Sequence, residues 1–226
     1  MPEMIWWVNS AYMDYRAARI LLNSGELLQG AVLANTAVEK YAKATVLVKG
    51  DKVHGHLKRG MFRGIKNFCK EHFDSLNMEF MDLLQHSYQA RYFVDLPKGF
   101  HIEIFQNKFL VELDNTAFQF NQRFNFKVED KTLDTMYVED FKTRNPALLY
   151  NNYALLHQDK RVEFIAKLQH YLDFKKLQDG SLVMFTAKAG GVQDDGKFIP
   201  TGIDHLEGKT PHDILREQLN LPVLEK

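Results

Sequence analysis

The chain has 226 residues, 45% hydrophobic and 26% charged, a balance that suits a globular protein and excludes a disordered or fibrous one. Its 29 basic and 29 acidic side chains cancel, and no run of 18 apolar residues offers a membrane-spanning helix. The start, Met-Pro-Glu-Met-Ile-Trp-Trp, lacks the basic and long apolar regions of a secretory signal, and Cys69 as the only cysteine excludes an intrachain disulfide and fits a cytoplasmic location.

Residues 8–24 read as an amphipathic helix, with Ala11, Tyr15, Ala18, Leu21 and Leu22 on one side and Gly25 as its stop. Residues 31–48 give the strongest helical pattern. Ala31, Ala34, Val38, Tyr41, Ala42 and Thr45 mark a face of mostly small residues that lets a neighbouring helix come close. A third helix is expected at 61–73. Ser75 is positioned to cap a fourth, which carries Met78, Met81, Leu84, Tyr88 and Tyr92. After Pro97 and Gly99, residues 101–124 read as a fifth helix.

In the second half Pro146 is placed to open a helix at 147–157, and 160–177 reads as another. Turn signals at Asp179-Gly180, Gly190-Gly191 and Asp195-Gly196 suggest a small β-hairpin near 181–199. Thr210-Pro211-His212-Asp213 reads as the cap and first turn of a last helix at 211–219. The expected fold is therefore mainly α: an up-and-down helical bundle over 1–127, then a helical C-terminal region over 128–226 with that hairpin.

Charge gathers at 49–70, where Lys49, Lys52, Lys58, Arg59, Arg63, Lys66 and Lys70 face one acid, Asp51, with His54 and His56 beside them. Such a patch is either a solvated helix face or a surface for phosphates and acidic partners. His54 and His56 have no carboxylate or cysteine nearby to complete a metal site, so no metal is expected there. Trp6-Trp7 reads either as a stacking platform or as a staple of the first helix to the core.

Several residues together resemble the HEPN family of helical bundles. They are Ala11, Asp14 and Ala18 before Leu21-Leu22; Ala34, Ala37, Glu39-Lys40 and Lys43-Ala44; His56-Leu57; and Arg91-Tyr92 at the end of the fourth helix. The resemblance spans about residues 8–125; residues 128–226 resemble no known family. It implies a bundle that pairs into homodimers through helix faces and offers a polar groove to a nucleotide, RNA or partner protein. Catalytic members are metal-independent ribonucleases with Arg, then four to six residues, then His. Here Arg63 to His72, Arg91 to His101 and Arg161 to His170 are all spaced more widely. Gly180-Ser181 also lacks the downstream aspartate pair of a fused nucleotidyltransferase, which leaves a separately encoded one as the implied partner.

The resulting expectation is a non-catalytic binding module without cofactor. Its basic groove comprises Glu39, Lys40, Lys43, His56, Lys58, Arg59, Arg91 and Tyr92. Glu39 and Lys43 also read as an ordinary helical ion pair, and Arg91 as a partner of Asp95 or of helix-end carbonyls. Two alternatives stand beside it: a ribonuclease or nucleotide-processing enzyme with His56 as acid/base and Arg91 or Lys43 on phosphate, and a structural dimeric subunit.

Overall fold

The computed structural model describes residues 2–47, 59–128, 131–156 and 158–198. His54, His56, Lys58 and the helix expected at 211–219 lie outside the described residues, as do the side chains of Arg59 and Arg63.

The first two helices, α1 (Pro2–Asn23) and α2 (Leu27–Leu47), form an antiparallel hairpin. Val8, Ala11, Tyr12, Tyr15, Ala18 and Leu22 of α1 recur at three- and four-residue spacing and are all buried against the alanine-rich face of α2. Gly25 adopts φ 91°, and the amides of Gly25 and Glu26 return to the carbonyls of Leu22 and Leu21 at 3.1 and 2.9 Å, closing the end of α1. One turn on, Gly30 is so close to α1 that a Cβ there would lie 2.7 Å from Leu22 Cγ.

The expected third helix divides at Cys69 into α3 (Arg59–Phe68) and α4 (Lys70–Asp74), because Cys69 is extended at φ −144°. Asn77, rather than Ser75, caps α5 (Met78–Gln89), accepting from the amides of Glu79 and Phe80 at 3.0 and 3.2 Å. Ser75 instead closes α4, donating to the carbonyl of His72. A 3-10 turn, Phe93–Asp95, follows α5.

The expected helix at 101–124 begins as a strand, β1 (His101–Phe105), and only then becomes α6 (Gln106–Asn121). The alternation His-Ile-Glu-Ile-Phe buries Ile102 and Ile104 on one face, a period of two that no helix satisfies. A short ribbon, β2 (Phe126–Val128) and β3 (Lys131–Leu133), precedes α7 (Met136–Lys142). Pro146 opens a helix as expected, but Asn151 at φ 53° breaks it into α8 (Pro146–Leu149) and α9 (Tyr153–Leu156).

The helix expected at 160–177 stops early. α10 (Arg161–Ala166) ends where Lys167 turns extended, and β4 (Gln169–Lys176) continues the chain. β4 turns through Gly180 into β5 (Leu182–Ala189), so the hairpin begins about a dozen residues earlier than its turn signals suggested. β4 is central in an antiparallel sheet ordered β1-β4-β5, with Glu103 opposite Asp173 and His170 opposite Lys188.

α6 runs through the middle of the molecule. Phe109, Leu110, Leu113, Ala117 and Phe120 face the main core, while Val111 packs with Tyr153, Phe164 and Ile165. Its buried polar residues reach other elements: Asp114 to Arg19, Glu112 to Arg161, Lys108 to Asp195, and Asn121 to Tyr41. The fold is mainly helical, with a small antiparallel sheet beside α6.

Candidate functional site

The expected groove residues fall into two groups. On the α1–α2 hairpin, Lys43 Nζ lies 2.6 Å from Glu39 Oε1 and 5.7 Å from the Trp7 ring centre. Lys40 Nζ lies 2.6 Å from Asp14 Oδ2 and donates to Ser10 Oγ at 2.8 Å. Both ammonium groups therefore have a carboxylate partner, which weakens their pull on an external anion. Trp7 packs against the core while its neighbour Trp6 is exposed. The second group is at the end of α5. The Arg91 guanidinium stacks 3.5 Å from the Tyr88 ring centre and 4.5 Å from that of Tyr92. Arg59 opens α3.

A different constellation forms where the sheet meets the helical hairpin. A polar pocket of about 350 Å³ lies between the end of α1, the start of α6 and the β4–β5 pair. Lys167, His170 and Lys188 line it, and none of the described residues that line it is acidic. Among the described residues, neither lysine makes an ion pair. The register places Lys188 directly across from His170. The His170 ring occupies the space above Gly25, where a Cβ would come within 3.2 Å of it. The glycine that turns the hairpin thus also seats one wall of the pocket.

Carboxamides hold the other walls. Gln106 Nε2 donates to the carbonyl of Leu22 at 2.7 Å, and its Oε1 accepts from the amide of His170 at 3.1 Å. Asn107 donates from its backbone amide to Gln169 Oε1 at 2.7 Å and from Nδ2 to the carbonyl of Phe164 at 3.0 Å. Asn151 Nδ2 donates to Asn23 Oδ1 at 3.3 Å. With these groups occupied in the frame, Lys167, His170 and Lys188 are the basic side chains that line the pocket, and the exposed Tyr150 lines it beside them.

Arg19 fixes that rim from beneath. Its guanidinium donates to the carbonyls of Leu148 and Tyr150, each at 2.6 Å, and its Nε is 2.7 Å from Asp114 Oδ1. Tyr15 donates to the same oxygen at 2.7 Å and accepts from Asn152 Nδ2 at 3.1 Å. Burial, and then the Asp114 charge, push the Tyr15 phenol well above its ordinary pKa, so it stays a donor. The pocket, with no acid and no nucleophile–base pair on its walls, is equipped to hold an anion. Sequence reasoning missed it because Lys167, His170 and Lys188 are isolated in sequence, and 160–177 read as a helix would put the first two on different turns from any partner.

The bundle that supplies one wall of this pocket can be placed by comparison. Residues 4–106 match the family model of the HEPN domain. That stretch of the chain is similar to a HEPN domain. No curated protein and no solved structure matches the chain. The match ends as α6 begins, so the pocket has one wall of HEPN origin and another from the C-terminal half. The similarity points to a function connected with nucleotides or RNA. Among the described residues no helix is long and apolar enough to cross a membrane.

Proposed function

We propose that this chain is a non-catalytic binding module that holds the phosphate of a nucleotide, free or within RNA, in the pocket between its HEPN domain and its C-terminal sheet. The observation that carries this reading is the acid-free grouping of Lys167, His170 and Lys188. Two ammonium groups and an imidazole match a phosphate group, and a pocket of about 350 Å³ is of nucleotide size. Tyr150 offers a ring for a base to stack on.

Calorimetric titration of the full chain with ATP, GTP and a short single-stranded RNA tests the reading. Saturable binding that weakens with added salt and is lost in a Lys167→Ala/Lys188→Ala double variant is expected. Absence of saturable binding to all three ligands, or unchanged affinity in that variant, would overturn it. Lys43→Ala and Arg59→Ala report on the α2–α3 face. Loss of binding in them alone would move the site to the groove of Glu39, Lys40, Lys43, His56, Lys58, Arg59, Arg91 and Tyr92.

We also propose that the chain forms a homodimer through α1. Trp6, Met13 and Ile20 are 61%, 58% and 57% exposed and recur every seven residues, an apolar line along one helix face. Light scattering is expected to give twice the chain mass for the native protein and the single-chain mass for Met13→Glu/Ile20→Glu. A native protein of single-chain mass at high concentration would reject the pairing.

A further inference from the structure

The opposite face of the sheet holds a second cluster that neither the phosphate pocket nor the HEPN resemblance accounts for. Ile102, Ile104, Leu172 and Phe174 point into the core, so His101, Glu103, Tyr171, Asp173 and Lys175 share the outer face. We propose that this face is a divalent transition-metal site, with His101, Glu103 and Asp173 as its protein ligands.

One nitrogen of His101 and one carboxylate oxygen from each acid lie within 4.8 Å of one another. His101 Nε2 is 2.9 Å from Asp173 Oδ1 and 3.9 Å from Glu103 Oε1. Metal–ligand bonds of about 2.0–2.2 Å require only a small inward movement of such a set. Glu103, whose side chain is 29% exposed, is the ligand with room to make it; the His101 and Asp173 side chains are only 9% and 3% exposed.

The surrounding groups suit the role. The Tyr171 hydroxyl donates to Glu103 Oε1 at 2.8 Å, and Lys175 Nζ lies 2.6 Å from Asp173 Oδ2. Each carboxylate is thus oriented by an outer donor, as ligating carboxylates usually are. Apart from the imidazole, the two carboxylates and one ammonium leave this nearly enclosed face with one negative charge in excess. A second observation comes from the imidazole itself: its Nδ1 is buried and has no hydrogen-bond partner among the described residues. A closed structural network would have satisfied it. One nitrogen and two oxygen donors favour zinc, manganese, iron(II) or cobalt(II) over magnesium and calcium.

The test is titration of the full chain with cobalt(II), followed by its visible ligand-field absorption, and with zinc and magnesium by calorimetry. One saturable cobalt or zinc event per chain is expected, with none for magnesium at equal concentration. His101→Gln and Asp173→Asn are each expected to weaken it by about tenfold or more, and their circular dichroism without metal shows which variant is folded. Failure of the native chain to saturate, or native-like affinity in a folded His101→Gln or Asp173→Asn, would overturn the proposal.

Discussion

The α1–α2 hairpin and the segment after residue 128 hold their places by different means. The hairpin is a local seam. Small and aromatic side chains at helical spacing interlock, and the two helices are joined by a single glycine turn. The later segment has short helices and no long apolar face. It is fastened by polar side chains reaching back across the sequence: Arg19 to the α8 carbonyls, Asn107 to Gln169 and Phe164, and Arg161 to both Asp194 and Glu112. One region is determined by the pattern of its neighbours in sequence, the other by partners 33 to 129 residues away.

The sharpest way to break the contrast is Arg19→Met. It strips the α8 end of its donors and leaves Asp114 as a buried charge, so a loss of about 3–5 kcal/mol is expected in urea denaturation. A loss below about 1 kcal/mol would mean that the second half does not depend on this tether.

The same contrast explains what could be read in advance. The helices at 8–24 and 31–48 were legible because their apolar residues repeat locally, as was the proline-opened helix at 146. β1 and β4 were not. The alternation at 101–105 is only five residues long and runs directly into α6, and β4 is buried on both faces, so it shows little alternation. The pocket cations went unnoticed for the same reason: Lys188 meets His170 only through strand register. The α2 residues Glu39, Lys40 and Lys43 could be found from sequence, but their partners Ser10 and Asp14 required the packed hairpin.

Acid probes α4, which lies between the two regions. His72 is fully buried against Phe120 with neither ring nitrogen bonded among the described residues, and burial, then the charge of Arg123, push its pKa from 6.5 down to about 4. The unfolded chain therefore takes up this proton first. The imidazole's contribution is complete above about pH 6.5 and is lost as pH falls toward 4, a swing of about 3 kcal/mol. His72→Phe is expected to flatten that part of a stability-against-pH curve; an unchanged slope would contradict it.

Gly30→Ala should cost about 1–3 kcal/mol despite the better helix propensity of alanine, because the new methyl meets the fully buried Leu22. A rise in melting temperature would show that the seam can open at no cost. The smallest effect is expected from Lys40→Ala. Its ion pair with Asp14 is partly solvated, so a loss of no more than about 1 kcal/mol should appear in thermal melts.

The sheet draws one strand from the family-matched segment and two from beyond it. A shortened chain ending at residue 127 would keep β1 but lose β4, baring a row of unanswered amides and carbonyls beside Ile102 and Ile104. Such a fragment is expected to aggregate on expression, so the boundary expected at residue 127 is a poor place to cut this protein.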